Sequence, residues 1–193
     1  MMPLLDSISA KARLPLVEMS IPALCQLSGE QYHKFCETVR RLVEADVKIS
    51  LFEFALQRML LRQLHPHFVK HKPPAVKHSA WRPLLPSCAC LLSSLAHAGN
   101  RDPAAAQQAF VQGVTVLARD NGELSMIRRE QCGLKALAQA LDYLAEASPP
   151  IKKRVLQACA ACINADGQVT VAEAELLRVI AISLDCPMPP LLE

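Results

Sequence analysis

The sequence predicts an all-α fold, and three observations carry that reading. Apolar residues make up 51% of the 193 positions and are dominated by Ala and Leu, whereas aromatic residues make up only 4%. Glycine occurs six times. Ala and Leu are strong helix formers, and a sandwich or barrel would need Val, Thr, aromatic residues and glycine turns instead. Finally, Ser or Thr followed three residues later by Glu or Gln recurs along the chain, the pattern of a helix N-terminal capping box. The apolar content also excludes a disordered chain, and the shortage of glycine leaves little material for loops that cradle phosphate.

Taken in order, residues 16–24 read as a short helix, with Pro15 at its start and Pro22 kinking or dividing it. Ser28-Gly29-Glu30-Gln31 opens a helix to about Ala45, and Ser50-Leu51-Phe52-Glu53 opens another to about Leu64. Residues 66–86 hold Pro66, Pro73, Pro74, Pro83 and Pro86 with Lys and His between them, which marks a connector. Helices resume over about 87–98, 103–119, 125–147 (with a possible interruption at Gly133) and 150–164. Thr170-Val171-Ala172-Glu173 opens the last, to about Leu184. The expected organisation is an N-terminal helical half over 1–65, a basic connector over 66–86 and a C-terminal helical half over 87–193, with about eight helices.

Charge is uneven along this layout. Between Glu53 and Asp102 there is no acidic residue, while Arg58, Arg62, Lys70, Lys72, Lys77, Arg82 and Arg101 and five of the six histidines fall there. Such polarity suits a surface facing anionic lipid, an acidic partner or nucleic acid, and equally a solvated linker between two acidic halves. Lys70, Lys72, Lys77 and Arg82 are the candidate binding residues of this seam. Trp81 is the one aromatic residue between Lys70 and Arg82, too little for a single-strand stacking platform, so nucleic acid is the weakest of these partners. No run of 18 apolar residues occurs, and the N-terminus lacks the layout of a signal peptide.

The eight cysteines read as small hydrophobes in a reducing compartment. Cys36, Cys132, Cys159 and Cys162 lie in Ala/Leu-rich helical patterns. Cys159-Ala-Ala-Cys162 has zinc or redox spacing, but Cys88-Ala-Cys90 is not a matching second pair, and i, i+3 also describes one buried helix face. Nothing in the sequence sets Cys25, Cys88 or Cys90 beside a histidine base.

An internal repeat joins these elements. Val43-Glu44-Ala45-Asp46-Val47-Lys48-Ile49-Ser50-Leu51-Phe52-Glu53 matches Ile163-Asn164-Ala165-Asp166-Gly167-Gln168-Val169-Thr170-Val171-Ala172-Glu173 at a constant offset, and 121–125 is a looser copy. Each unit reads as helix, tight turn and capped helix, with the Asp receiving turn N–H groups and the Ser or Thr capping the second helix. Two pseudo-repeated helical hairpins are expected.

The C-terminal copy, continued through Ala174-Glu175-Leu176-Leu177-Arg178 to Leu184-Asp185-Cys186-Pro187, resembles the TerB-like (tellurite-resistance) helical domain. Arg13-Leu14-Pro15-Leu16-Val17-Glu18, Pro22-Ala23-Leu24, Gln26-Leu27-Ser28, Phe35, residues 44–56 and Pro66-His67-Phe68 resemble the cytosolic C-terminal region that follows the catalytic and membrane parts of bacterial HtpX-type zinc metallopeptidases. The resemblance implies a TerB-like bundle and a non-catalytic accessory domain. That domain would lie in the cytoplasm at the inner-membrane face, binding a protein partner or regulating the parent protease. The protease motif itself, His-Glu-x-x-His, does not occur, since no histidine here precedes a glutamate. No cofactor is required by this reading. A divalent metal is the alternative the resemblance raises, at Asp166, Glu173 and Glu175. Asn164, Asp166, Gln168, Thr170 and Glu175 partly imitate a calcium loop, but Val169 stands where that loop needs glycine, and turn and cap chemistry explains the same residues.

Overall fold

A computed structural model describes residues 10–45, 51–69, 76–117 and 124–186, and its named elements are all helical. Eight α-helices occur among the described residues: α1 Ala10–Leu24, α2 Gly29–Ala45, α3 Leu51–Phe68, α4 Leu85–Gly99, α5 Pro103–Leu117, α6 Leu134–Ala145, α7 Pro149–Ile163 and α8 Val171–Ser183. Short 3-10 turns at Arg82–Leu84 and Arg129–Gln131 precede α4 and α6. No helix of the described residues is long and apolar enough to cross a membrane.

The chain divides into two compact units, Met1–His71 and Lys72–Glu193. The division falls inside the connector, not at its ends. In the first unit, α1 and α2 pack on α3. Tyr32, Leu60 and Leu64 form a buried cluster, against which Val17, Ile21, Leu24, Phe35, Leu56 and Phe68 pack. The Ser28 box forms as expected: the Ser28 N–H donates to Gln31 Oε1 at 2.8 Å and the Gln31 N–H to Ser28 Oγ at 3.2 Å.

Two helices here are longer than proline placement predicts. Helix α1 starts at Ala10, before Pro15, and continues through Pro22 to Leu24, so a segment that opens on the strong helix formers Ala-Lys-Ala-Arg-Leu absorbs two missing donors. Helix α3 runs through Pro66 to Phe68. Its extra turn is held from outside, since Phe68 stacks on Tyr32 with ring centroids 4.2 Å apart and planes within 13°. His65 Nδ1 lies 3.3 Å from the Tyr32 hydroxyl. Tertiary contact therefore outweighs the proline signal.

The second unit is built around α4. Nine consecutive residues, Cys88 to Ala96, are buried, so this helix is enclosed on every side by α5, α6, α7 and α8. A helix buried all round must be apolar all round, which explains the run Cys-Ala-Cys-Leu-Leu-Ser-Ser-Leu-Ala. Its two serines satisfy themselves inside the core: the Ser94 hydroxyl donates to the Cys90 carbonyl at 2.8 Å, and Ser93 Oγ accepts the Ile127 N–H at 2.9 Å. Small residues let the helices approach. A Cβ at Gly113 of α5 would stand 2.8 Å from Leu92 Cδ2, 3.0 Å from the Ala158 carbonyl and 3.1 Å from Cys162 Cβ.

Residues 125–132, expected to be helical, form no α-helix. Ile127 bonds Ser93 with its N–H and receives His97 Nε2 on its carbonyl at 2.9 Å, which lays this segment over α4. Gly133 then caps α6 in extended conformation. Among the described residues the first unit holds three α-helices and the second five. Turn residues 46–50 of the N-terminal copy and 121–123 of the looser copy lie outside the described residues.

Candidate functional site

The C-terminal repeat unit is built by its own short-range chemistry. Helix α7 ends at Asn164, whose side-chain amide donates to the Ala160 carbonyl at 2.9 Å. Gly167 turns the chain with φ +74°, a left-handed conformation that a side chain disfavours. Asp166 Oδ1 accepts the Gln168 N–H at 2.9 Å, closing the turn. Thr170 then caps α8, its hydroxyl accepting the Glu173 N–H at 3.3 Å. Glu173 Oε2 receives both the Thr170 N–H at 2.8 Å and the Thr170 hydroxyl at 2.7 Å.

Glu173 is also buried, with 3% of its surface exposed. Its second oxygen lies against Gly99 at the end of α4, where an added Cβ would collide with Oε1. Gly99 is therefore a condition of Glu173's position. Asp166 is exposed on the turn, and Glu175 is half-buried with a partner of its own. Among the described residues no group of three or more His, Cys, Asp or Glu side chains is placed to hold a metal ion together. The turn and the cap supply the donors that Asp166 and Glu173 receive.

Of the basic seam, Lys70 and Lys72 lie outside the described residues, and Arg82 is exposed in its 3-10 turn. Lys77 is not an uncompensated cation. Its ammonium donates to Glu146 Oε1 at 2.7 Å, a residue 69 positions away that no local charge pattern points to. The backbone joins them as well. The Lys77 and His78 N–H groups both donate to the Glu146 carbonyl, at 2.9 and 3.2 Å, and the Ser148 N–H donates to the His78 carbonyl at 2.9 Å. Residues 76–80 thus form a strap across the α6–α7 junction, with a parallel bridge between His78 and Ala147. The His78 ring sits on Tyr143, centroids 4.3 Å apart.

Trp81 is used internally. The Arg154 guanidinium lies 5.7 Å from its ring centroid, a cation–π distance, and Arg154 Nε donates to the Val116 carbonyl at 3.0 Å. Sequence patterns single out none of Glu146, Tyr143, Arg154 and Gly99. Each acts through a partner far along the chain, and only the Gly99-Asn100 pair after an apolar run offers a local signal, that of a helix end.

All eight cysteines are free thiols, and Cys88, Cys90, Cys159 and Cys162 are buried. Cys132 is half-buried and lies outside any α-helix, unlike its sequence pattern. Burial pushes Cys88 and Cys162 up to about 12, with Glu173 adding to the effect at Cys162. Cys159 is raised well above the ordinary thiol value, first by burial and then by Cys162 and Cys88 beside it. A nucleophilic cysteine needs the opposite, a lowered value and an exposed thiolate. The His97 ring faces the Ile127 carbonyl, on which the Cys132 thiol also converges at 3.7 Å.

No family model matches this chain, and neither a curated protein nor a solved structure is similar enough to it to count as a relative.

Proposed function

We propose that this chain is a non-catalytic accessory domain that binds a protein partner, and that it acts on the cytoplasmic side of a membrane as the C-terminal region of an HtpX-type zinc metallopeptidase. The observation that carries the reading is the use to which the chain puts its most reactive groups. Glu173, the carboxylate of the strongest motif, caps a helix and fills the space over Gly99. The buried thiols are held protonated. What remains for function is surface, and two features offer it. Helix α1 is apolar on two sides: Val17, Ile21 and Leu24 face the core, while Leu16 and Met19 are 46% and 77% exposed. The basic seam beginning at Lys70 and Lys72 supplies charge complementary to anionic phospholipid or an acidic protein surface.

The test uses a detergent-solubilised HtpX-type peptidase lacking its C-terminal region. Purified chain is expected to co-elute with it as a defined complex and, supplied with zinc and casein alone, to cleave nothing. Separate elution, or zinc-dependent cleavage by the chain itself, overturns the proposal. Vesicle flotation addresses the seam: binding to anionic vesicles is expected to fall with added salt and to weaken in the Lys70→Ala, Lys72→Ala, Lys77→Ala triple variant. Lys77 is expected to contribute least, because Glu146 already offsets its charge.

A further inference from the structure

Trp81 stands where the basic seam runs into α4, and its contact with Arg154 leaves part of both groups open. The indole is half-buried, not enclosed. Arg154 reaches it from α7, with Cζ 5.7 Å from the ring centroid. The Nε–H of that guanidinium donates to the Val116 carbonyl, near the end of α5, at 3.0 Å. This bond uses one of five donors and, with the ring contact, restrains the group. Arg82 follows Trp81 directly and is exposed. Neither arginine forms an ion pair with a carboxylate among the described residues. We propose that Trp81, Arg82 and Arg154 form a docking site for an acidic peptide segment of a protein partner.

The charge around the site is one-sided. No acidic residue occurs between Glu53 and Asp102, so the chain on either side of Trp81 and Arg82 supplies no counter-charge. The carboxylate joined to the strap that leads into Trp81 is Glu146, and Lys77 already holds it at 2.7 Å. Acidic side chains commonly stand in the first turn of a helix, where the exposed N–H groups favour them. Neither α4, which follows Arg82, nor α7, which carries Arg154, has one there. The negative charge that matches these arginines therefore comes from outside the site.

A peptide carboxylate suits the site better than the phosphates of nucleic acid or membrane. A guanidinium presents parallel N–H groups that match the two oxygens of one carboxylate, and Trp and Arg are the side chains that most often carry the energy of a protein interface. Nucleic acid gains its affinity from roughly six to ten phosphate contacts, more than two arginines and one indole offer. Anionic bilayers are bound by clusters of about four to eight basic side chains at the surface, whereas Arg154 is half-buried and tied to α5. The proposal rests on the accessory role argued above and names the chemistry of the partner.

Trp81 is the single tryptophan of the chain, so its fluorescence reports on this site alone. Hexaglutamate added to the whole chain at low salt is expected to change the emission saturably, and added salt to weaken the binding. Arg154→Ala is expected to raise the dissociation constant roughly tenfold, as loss of a charged hydrogen-bond partner does. Arg82→Ala is expected to raise it roughly two- to fivefold, the range of an exposed ion pair. Arg154→Lys, which keeps the charge without the fork, is expected to fall between Arg154→Ala and the unmodified chain. Lys135→Ala, at the far end of α6 from the strap, is expected to change nothing. Should Arg154→Ala fail to fold, Arg82→Glu on its exposed turn decides, and is expected to abolish binding. No saturable change in emission, or one that Arg82→Glu and Arg154→Lys both leave intact, overturns the proposal. Tighter binding of oligothymidylate or phosphatidylglycerol vesicles through the same arginines also overturns it, giving the site to nucleic acid or to membrane. Co-elution with the truncated peptidase separates this site from the accessory role. If Arg82→Glu leaves co-elution intact, the site falls and the role stands; if hexaglutamate binds and nothing co-elutes, the site stands and the role falls.

Discussion

The capping boxes at Ser28 and Thr170 share their local chemistry and differ in their surroundings. At Ser28 both partners are exposed, and the box does no more than start a helix. At Thr170 the same exchange of hydrogen bonds takes place around a carboxylate that is 3% exposed and seated on Gly99 of another helix. The surrounding units differ in the same sense. The second unit encloses α4 completely, whereas α1 of the first leaves Met19 almost bare. A motif that specifies a local start is worth more where a second element has been shaped to receive it.

The largest contrast lies in the cores. Leu91 of α4 is fully buried, so Leu91→Ala is expected to cost about 2–5 kcal/mol in chemical denaturation, through lost burial and the cavity left behind. Met19→Ala, at 77% exposure, is expected to fall within about 0.5 kcal/mol of the unmodified chain. Comparable losses at both sites would erase the difference between the units.

The boxes come next. Glu173→Ala is expected to cost about 2–3 kcal/mol, from the lost cap and the donors left unsatisfied in a buried place. Gln31→Ala is expected to cost roughly 0.5 kcal/mol, since water replaces its exposed bond. Gly99→Ala is expected to act as Glu173→Ala does, because the new methyl displaces the carboxylate. The double variant should then cost little more than either single change. Full additivity would show that Gly99 and Glu173 are not coupled.

A smaller effect comes from the thiols. In the unfolded chain a thiol titrates near 9.0, whereas Cys88 and Cys162 are held at about 12 when folded. The folded state therefore binds more protons above pH 9, and stability falls as pH rises from about 9 toward 12. The loss is about 1 kcal/mol per thiol at pH 10. Melting temperature measured against pH is expected to decline less steeply in the Cys88→Ala, Cys162→Ala variant, and an unchanged slope would contradict the assignment.

The smallest expected effect is none. With Asp166 and Glu173 already engaged by the turn and the cap, Ca²⁺, Zn²⁺ and Mn²⁺ are expected to leave both the melting temperature and the calorimetric baseline unchanged. A saturable heat, lost on Asp166→Ala, would make the C-terminal turn a metal site.

The helical class and most helix starts are legible in the sequence because they depend on neighbours three or four residues apart. Gln31 answers Ser28, and Glu173 answers Thr170. The start of α1 and the end of α3 depart from the sequence reading where a proline rule meets a stronger influence, in α3 the Tyr32–Phe68 stack. The segment 125–132 looks helical by composition, but Ser93 and His97 hold it across α4, and no local pattern reports a partner about 30 residues away. The candidate site divides the same way. Spacing alone finds Asp166 and Glu173, while Gly99, the surface Glu173 rests on, and Glu146, the partner of Lys77, become visible only in three dimensions.

The proposed role rests on a resemblance and on the structural use of the reactive groups, and one measurement reaches it directly. Sequencing the DNA upstream of the Met1 codon in its native genome is expected to reveal a continuous reading frame. That frame should encode membrane-spanning segments and a His-Glu-x-x-His helix. A stop codon in frame shortly before Met1, with neither feature between, would contradict membership of such a peptidase.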